Sequence, residues 1–347
     1  MKRKNLLLLI ETLFVAINVN AQSDEDKPYV TKNFTSSSLN AVTVETSGGS
    51  ISVTGGQSSG YKVEMYVRPN NWNGKKELSK EDTEDRLDDY DILIGTEGNK
   101  VIATAKRKNN VKWNNEKGIS IGFKVYAPRN TATDLRTSGG SIKIASLSGN
   151  QNFTTSGGSL KVDDLEGEIH GKTSGGSIEV TNCRKDIDLV TSGGSIKASE
   201  LKGNIDLRTS GGSITLNNLN GAVKAHTSGG SVKGEDVTGS LDAGTSGGSV
   251  RLANISGSLK ASTSAGSVEV SMSKLGDYLD LHSSAGSIRV TMPLEKGLDL
   301  NLKGNKVSIP LKNFDGNVEK DRVSGKMNGG GIPITLSASS GSVYVNQ

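Results

Sequence analysis

One hexapeptide, T-S-G-G-S-[ILV], starts at Thr137, Thr155, Thr173, Thr191, Thr209, Thr227, Thr245, Thr263 and Ser283, relaxing to S-A-G-S in the last copies. The interval is 18 residues until a two-residue insertion stretches the final one to 20. A fixed short period means that each repeat is one structural unit whose apolar side is buried only by stacking on its neighbours. Such a chain builds a long surface without an obvious pocket, which favours binding or scaffolding over catalysis.

The repeat reads in register. Ile142, Leu160, Ile178, Ile196, Ile214, Val232, Val250, Val268 and Ile288 close the hexapeptides and form one apolar column. Two residues further on stand Ile144, Val162, Val180, Ala198 and Leu216, and five further on Leu147, Leu165, Cys183, Leu201 and Leu219. Pairs such as Ile187 with Leu189 and Ile205 with Leu207 follow. Apolar residues at alternate positions mark strands with one buried face. The expectation is an all-β chain, a parallel β-solenoid (β-helix-like) with 18-residue coils and two short strands per coil. Stacked about 4.7–4.9 Å apart, nine coils make a rod on the order of 43 Å long.

Corners demand special backbone. The glycine pairs of the hexapeptide and a second series, Gly149, Gly167, Gly203, Gly221, Gly239 and Gly257, are expected to supply positive φ there. Lys185 interrupts the second series, so one corner must accept a side chain. The threonine opening each hexapeptide shares the parity of the inward columns, predicting a buried Thr and Ser ladder along one corner.

Composition narrows the alternatives. With 44 glycines, 6 prolines and 4% aromatic residues, the chain is neither a disordered segment nor a large-core globule. A single cysteine, Cys183, excludes an internal disulfide and occupies an aliphatic column, which reads as a buried small hydrophobe. Residues 1–21 read as a signal peptide: Lys2, Arg3 and Lys4 precede an apolar stretch interrupted by Glu11, and Val19-Asn20-Ala21 offers small residues for cleavage. No stretch of about 20 uninterrupted apolar residues is present to form a transmembrane segment. Residues 22–136 read as an irregular β region capping the solenoid, 137–290 as the regular array and 291–347 as a C-terminal β cap. Strands are expected at Ala41–Val53, Tyr61–Val67, Asp91–Ile94, Lys100–Ala105 and Ile119–Tyr126, with Ser79 capping a short helix towards Leu87.

The position after the first column faces outward and holds Lys143, Lys161, Glu179, Lys197, Thr215, Lys233, Arg251, Glu269 and Arg289. Stacking aligns its six basic residues, Lys143, Lys161, Lys197, Lys233, Arg251 and Arg289, into a candidate ligand-binding stripe suited to an anionic polymer. The plainer reading is that outward charges keep a sheet solvated and block edge aggregation. A second outward file carries Asp188, Asp206, Asp242 and Asp280, interrupted by Lys224 and Lys260. Without residues 1–21 the formal charge falls from +4 to +2, too little for a nucleic-acid binder, and no aromatic stacking platform is present.

Site chemistry is sparse. His226 and His282 share a file but stand three coils apart, on the order of 14 Å, too far for one metal, and His170 is separate. Calcium β-roll repeats need an Asp two residues beyond a glycine, where this chain has Ser or Ile. The glycine pairs open strands, not helices, which weakens a phosphate-binding reading. Asp163 with Asp164, or Glu235 with Asp236, are adjacent acids for a polysaccharide-acting enzyme, although neighbours in a turn seldom converge on one bond. An ice-binding surface needs the threonines to face water. No catalytic, cofactor or metal residues are expected.

The segments Lys124-Val125-Tyr126-Ala127-Pro128 and Leu135-Arg136-Thr137-Ser138-Gly139-Gly140-Ser141-Ile142, the run of T-S-G-G-S-[IV] coils, and Asn328-Gly329-Gly330-Gly331 before a last S-G-S-V resemble the bacterial putative adhesin family of β-strand repeat proteins of unknown function. That resemblance implies an exported β-helix-like protein of the cell envelope, periplasmic, surface-held or secreted, some of whose relatives are associated with envelope-stress responses. It brings no catalytic residues. The expected function is an adhesin-like binding or structural element whose partners are an anionic envelope or host polysaccharide or another surface protein, with no nucleic acid. The rivals are a polysaccharide-acting β-helix enzyme and a periplasmic envelope-stress component.

Overall fold

The computed structural model describes residues 27–70, 79–108 and 118–347, so the expected signal peptide lies outside the described residues. Successive repeats stack as the columns require: Ile178 pairs with Ile196, Ile196 with Ile214 and Ile214 with Val232, all in parallel register. Column residues from Ile142 to Ile288 are at most 1% exposed. The parallel β-solenoid with coils 18 residues apart is therefore present, its core a file of aliphatic side chains one residue deep on each wall.

Within a coil the two expected strands run together. Leu160–Thr173, Ile196–Thr209, Ile214–Thr227, Val232–Thr245 and Val250–Thr263 are each one strand of 14 residues, bent twice but paired to the next coil almost throughout. The first bend uses a left-handed residue that is not glycine: Ser146, Asp164, Asn182, Glu200, Asn218, Asp236 and Asn254 have φ between 51° and 58°. Asn and Asp tolerate this region because their short polar side chains bond locally. The second bend falls on the expected glycines, Gly149 to Gly257, with φ between 105° and 136°, and Lys185 takes the same place at 84°.

The hexapeptide glycines correct the expectation, because none of them has a left-handed φ. Their requirement is proximity. A Cβ on the second glycine of the pair would lie 2.0–2.2 Å from the carbonyl oxygen of its counterpart one coil earlier, as at Gly158, Gly194 and Gly248. On the first glycine it would meet nothing closer than 3.1–3.7 Å. The corner is thus a column of backbone stacked on backbone, and only the second glycine is sterically obligatory.

The opening threonine holds that column together. Thr155, Thr173, Thr191, Thr209, Thr227, Thr245 and Thr263 are at most 7% exposed. Each donates its hydroxyl to the second-glycine carbonyl of the preceding coil, at 2.6–2.8 Å. The same oxygen accepts from the N–H of its own coil's second glycine, as in Gly194 N–H to Thr191 at 3.2 Å. The inward ladder is real, but its rungs run from threonine to glycine backbone and not from threonine to threonine. Beside it a serine ladder runs through the fifth hexapeptide position, where Ser213 N–H donates to Ser195 Oγ at 3.2 Å and Ser231 N–H to Ser213 Oγ at 3.1 Å.

At both ends, spatial order departs from chain order. The Ala41–Thr46 strand lies between Lys100–Arg107 and Ala132–Thr137, and Ile51–Thr54 lies between Ile119–Tyr126 and Ile142–Ser148. At the other end Ile332–Ala338 and Val343–Asn346 enter the stack against Val268–Ser283 and Ile288–Thr291, with Leu298–Lys303 and Val307–Ser308 outside them. Antiparallel strands then close each end: Val30–Phe34 and Tyr90–Glu97 at one, and the Phe314–Val318 and Arg322–Met327 hairpin at the other. The expected helix is present at Lys80–Leu87, capped by Ser79, whose hydroxyl accepts from Asp82 N–H at 3.0 Å.

Candidate binding surface

Parallel register fixes every outward file. Lys143, Lys161, Glu179, Lys197, Thr215, Lys233, Arg251, Glu269 and Arg289 pair in that order, one per coil. The six basic residues of the stripe therefore stand in one line. Lys161 reaches Glu179 at 3.6 Å, and Arg251 and Arg289 flank Glu269 at 3.2 and 3.9 Å. Lys143, Lys197 and Lys233 have no ion pair among the described residues. Six cations against two carboxylates leave the file with a positive excess, concentrated on those three lysines.

The line continues beyond the array on both sides. Lys143 pairs with Ser52 and Ser52 with Lys124, while Arg289 pairs with Tyr344. Arg289 stacks over the Tyr344 ring at 5.4 Å, and Lys124 over Tyr66 at 4.5 Å. Beside Lys124, Lys62 lies over Tyr126 at 4.1 Å and bonds Glu64 at 2.9 Å, and Tyr66 donates to the same carboxylate at 2.9 Å. Burial pushes the Glu64 carboxyl up, but the hydrogen bonds from Lys62 and Tyr66 and the charges of Lys62 and Lys124 outweigh it and hold the group below its ordinary value. A cationic file thus ends at each side against aromatic rings. Tyr344 was legible in principle, since it follows Val343 in the degenerate last hexapeptide; Lys124 belongs to no hexapeptide and joins the file only through the interleaved coil.

A groove of about 620 Å³ follows the C-terminal half of the file, lined by Lys233, Arg251, Glu269 and Arg289 of the file and by Asn217, Glu235, Ser271 and Asn346 beside it. Its axis runs across coils, along the rod.

The acidic file is less free than its sequence suggests. Arg208 spans Asp188 and Asp206 at 2.7 and 2.9 Å, His226 lies 3.5 Å from Asp242, and His170 lies 3.9 Å from Asp188. Arg208 of the adjacent file thus offsets part of the charge of Asp188 and Asp206. The adjacent acids are likewise tied into the first bend. Asp164 accepts both terminal nitrogens of Arg129 at 2.8 and 2.9 Å, and that hydrogen bonding holds its carboxyl below the ordinary range. Asp163 accepts from Asn182 at 3.0 Å, and Asp236 from Asn254. Cys183 is fully buried, and burial pushes its thiol up to about 12. Among the described residues no group of three or more His, Cys, Asp or Glu side chains is placed to hold a metal ion.

A protein family described as Toastrack DUF4097 matches residues 99–346, the span that holds the array and every segment carrying the sequence resemblance. The chain is also similar to a crystal structure of a putative cell adhesion protein from Clostridium sporogenes ATCC 15579, at 12% identity over 92% of this chain and 100% of that one, with a TM-score of 0.17. No curated protein matches the sequence.

Proposed function

The chain belongs to the Toastrack DUF4097 family, and on that premise we propose that it is an exported, non-catalytic binding element of the cell envelope that holds an anionic polysaccharide along its cationic file. The observation that carries this reading is the alignment of Lys143, Lys197 and Lys233, without carboxylate partners among the described residues, on one rigid wall. Cations held in register on one sheet present a regular charge spacing to a polymer, and a preformed file needs little ordering to bind. The adjacent acids that a hydrolase reading needs are engaged in the bend, Asp164 by Arg129 and Asp236 by Asn254, which supports binding without turnover. Export rests on the pattern of residues 1–21.

The test is titration of the purified chain with a polyuronate, a sulfated glycan and neutral dextran. The polyanions are expected to bind, with affinity falling as salt rises, and dextran is not. The triple variant Lys143→Gln/Lys197→Gln/Lys233→Gln should bind about tenfold more weakly, from three exposed charge contacts of at most about 1 kcal/mol each. Equal binding by the variant refutes the file as the site, and release of oligosaccharide refutes the non-catalytic reading. Cell fractionation with surface proteolysis separates a periplasmic element from a surface one.

A further inference from the structure

The charges of the cationic file repeat every five coils. Lys143 and Lys233, Lys161 and Arg251, Glu179 and Glu269, and Lys197 and Arg289 each stand five pairing steps apart and match in sign. The uncharged positions Ser52, Thr215 and Tyr344 stand at the same interval. Ahead of Ser52, Glu64 and Lys124 have the signs that Glu179 and Lys197 have ahead of Thr215. The file thus holds two tetrads of one order, cation, cation, carboxylate, cation, bounded by uncharged side chains. Their contacts are alike too. The second and third positions form an ion pair in both, Lys161 with Glu179 at 3.6 Å and Arg251 with Glu269 at 3.2 Å. Two residues along each strand, on the same face, hydroxyls flank the last two positions: Thr181 and Ser199 in one tetrad, Ser271 and Thr291 in the other. Solvation alone asks for charge and not for order. The acidic file lacks this period, since Asp134 and Lys224, five steps apart on it, differ in sign.

We propose that each tetrad is a separate subsite for the same acidic glycan segment, so that one rod holds two such segments about 24 Å apart, five coil steps. This rests on the reading of the file as a polyanion site. In each tetrad three cations against one carboxylate attract an anion, and uncharged Thr215 divides the two. The subsites differ in strength. Arg251 and Arg289 stand where the first tetrad has lysines, and a planar guanidinium grips a carboxylate through two N–H groups where an ammonium offers a point charge. The groove of about 620 Å³ also follows the second tetrad. A glycan long enough to reach both gains by linkage, because its second contact is intramolecular.

Titration calorimetry of the purified chain with oligouronates of increasing length tests it. Oligouronates under about 20 Å long should bind two per chain, the tighter at the second tetrad, and those over about 38 Å, the span from Lys143 to Arg289, one per chain. Affinity should step up at least about tenfold between those lengths. Lys143→Gln/Lys161→Gln/Lys197→Gln should bind one short oligouronate and lose the step. Lys233→Gln/Arg251→Gln/Arg289→Gln should do the same, with the weaker site remaining. All six positions are exposed, so both variants should match the parent in circular dichroism. A parent that binds a single short oligouronate, a length dependence without a step, or a step that survives the loss of either tetrad overturns the two subsites while leaving the file as a polyanion site. Absence of binding at every length removes the file as a site and the subsites with it.

Discussion

Replacing Gly194 by alanine is expected to destabilise the fold by about 3 kcal/mol or more, whereas the same change at Gly193 costs under about 1 kcal/mol. Both glycines occupy one hexapeptide, and alanine has the same unfolded-state effect at each, a gain of about 0.4–1 kcal/mol from lost chain freedom. They differ in what a methyl group meets. At Gly194 it would stand 2.1 Å from the Gly176 carbonyl oxygen, and at Gly193 3.5 Å from that of Gly175, an ordinary contact. Backbone above and below cannot yield as a flexible side chain does, so the coils must part locally, with loss of the hydrogen bonds beside the corner. Urea denaturation of the two variants side by side gives the comparison; equal midpoints contradict the close-approach account of the corner. A repeat array need not unfold in one step, so the midpoint of the first transition is the quantity to compare.

Thr191→Val should cost about 2–4 kcal/mol although valine matches threonine in shape. The Thr191 hydroxyl, 1% exposed, donates to the Gly176 carbonyl at 2.8 Å and accepts from Gly194 N–H at 3.2 Å. Valine strands both backbone groups in a dry corner, and an unpaired buried donor or acceptor costs about 1–3 kcal/mol. Thr191→Ser keeps both bonds and should lose only about 1 kcal/mol for the missing methyl. The chain itself contains that experiment, because Ser283 holds the same place and makes both bonds at 2.9 Å. Thermal or urea unfolding in the order parent, serine, valine checks the assignment; a valine variant as stable as the serine one removes the hydroxyl clamp from the account. Thr191 and Gly194 support one coil-to-coil contact, so their double variant should be less damaging than the sum.

What was legible in the sequence was whatever repeats. Period and parity suffice to place Ile178 over Ile196, to turn Thr191 inward and to line Lys143 up with Lys161, because stacking like on like leaves one register that buries the aliphatic files. Two local features were misread or missed for physical reasons. The hexapeptide glycines were assigned to positive φ, the commonest demand for glycine, when the demand was space. The first bend went unnoticed because Ser146, Asp164, Asn182 and Glu200 look like an ordinary polar position, and only their shared tolerance of a left-handed backbone hints at it. Long-range placement was legible only in part. The hexapeptide Thr46–Ile51 marks Ala41–Thr54 as a coil of the array, and it stacks on the hexapeptide opened by Thr137, but nothing local says that residues 100–126 lie on its other side, since that depends on loop closure and on which strand edges are open. For the same reason the cationic file could be read through the array, while its extension to Lys124 and the sharing of Arg208 by Asp188 and Asp206 needed coordinates.

The central claim is that residues one repeat apart stand one strand spacing apart, and distances along a single outward file test it most directly. Spin labels at Lys143→Cys with Lys233→Cys, and at Lys143→Cys with Arg289→Cys, span five and eight coil steps. Buried Cys183, with its thiol pushed up to about 12, should escape the label. Double electron–electron resonance should return narrow distributions centred at about 24 Å and about 38 Å, in the ratio of the step counts. Distances that do not scale with the number of coils, or broad distributions at either pair, contradict in-register stacking and the cationic file that depends on it.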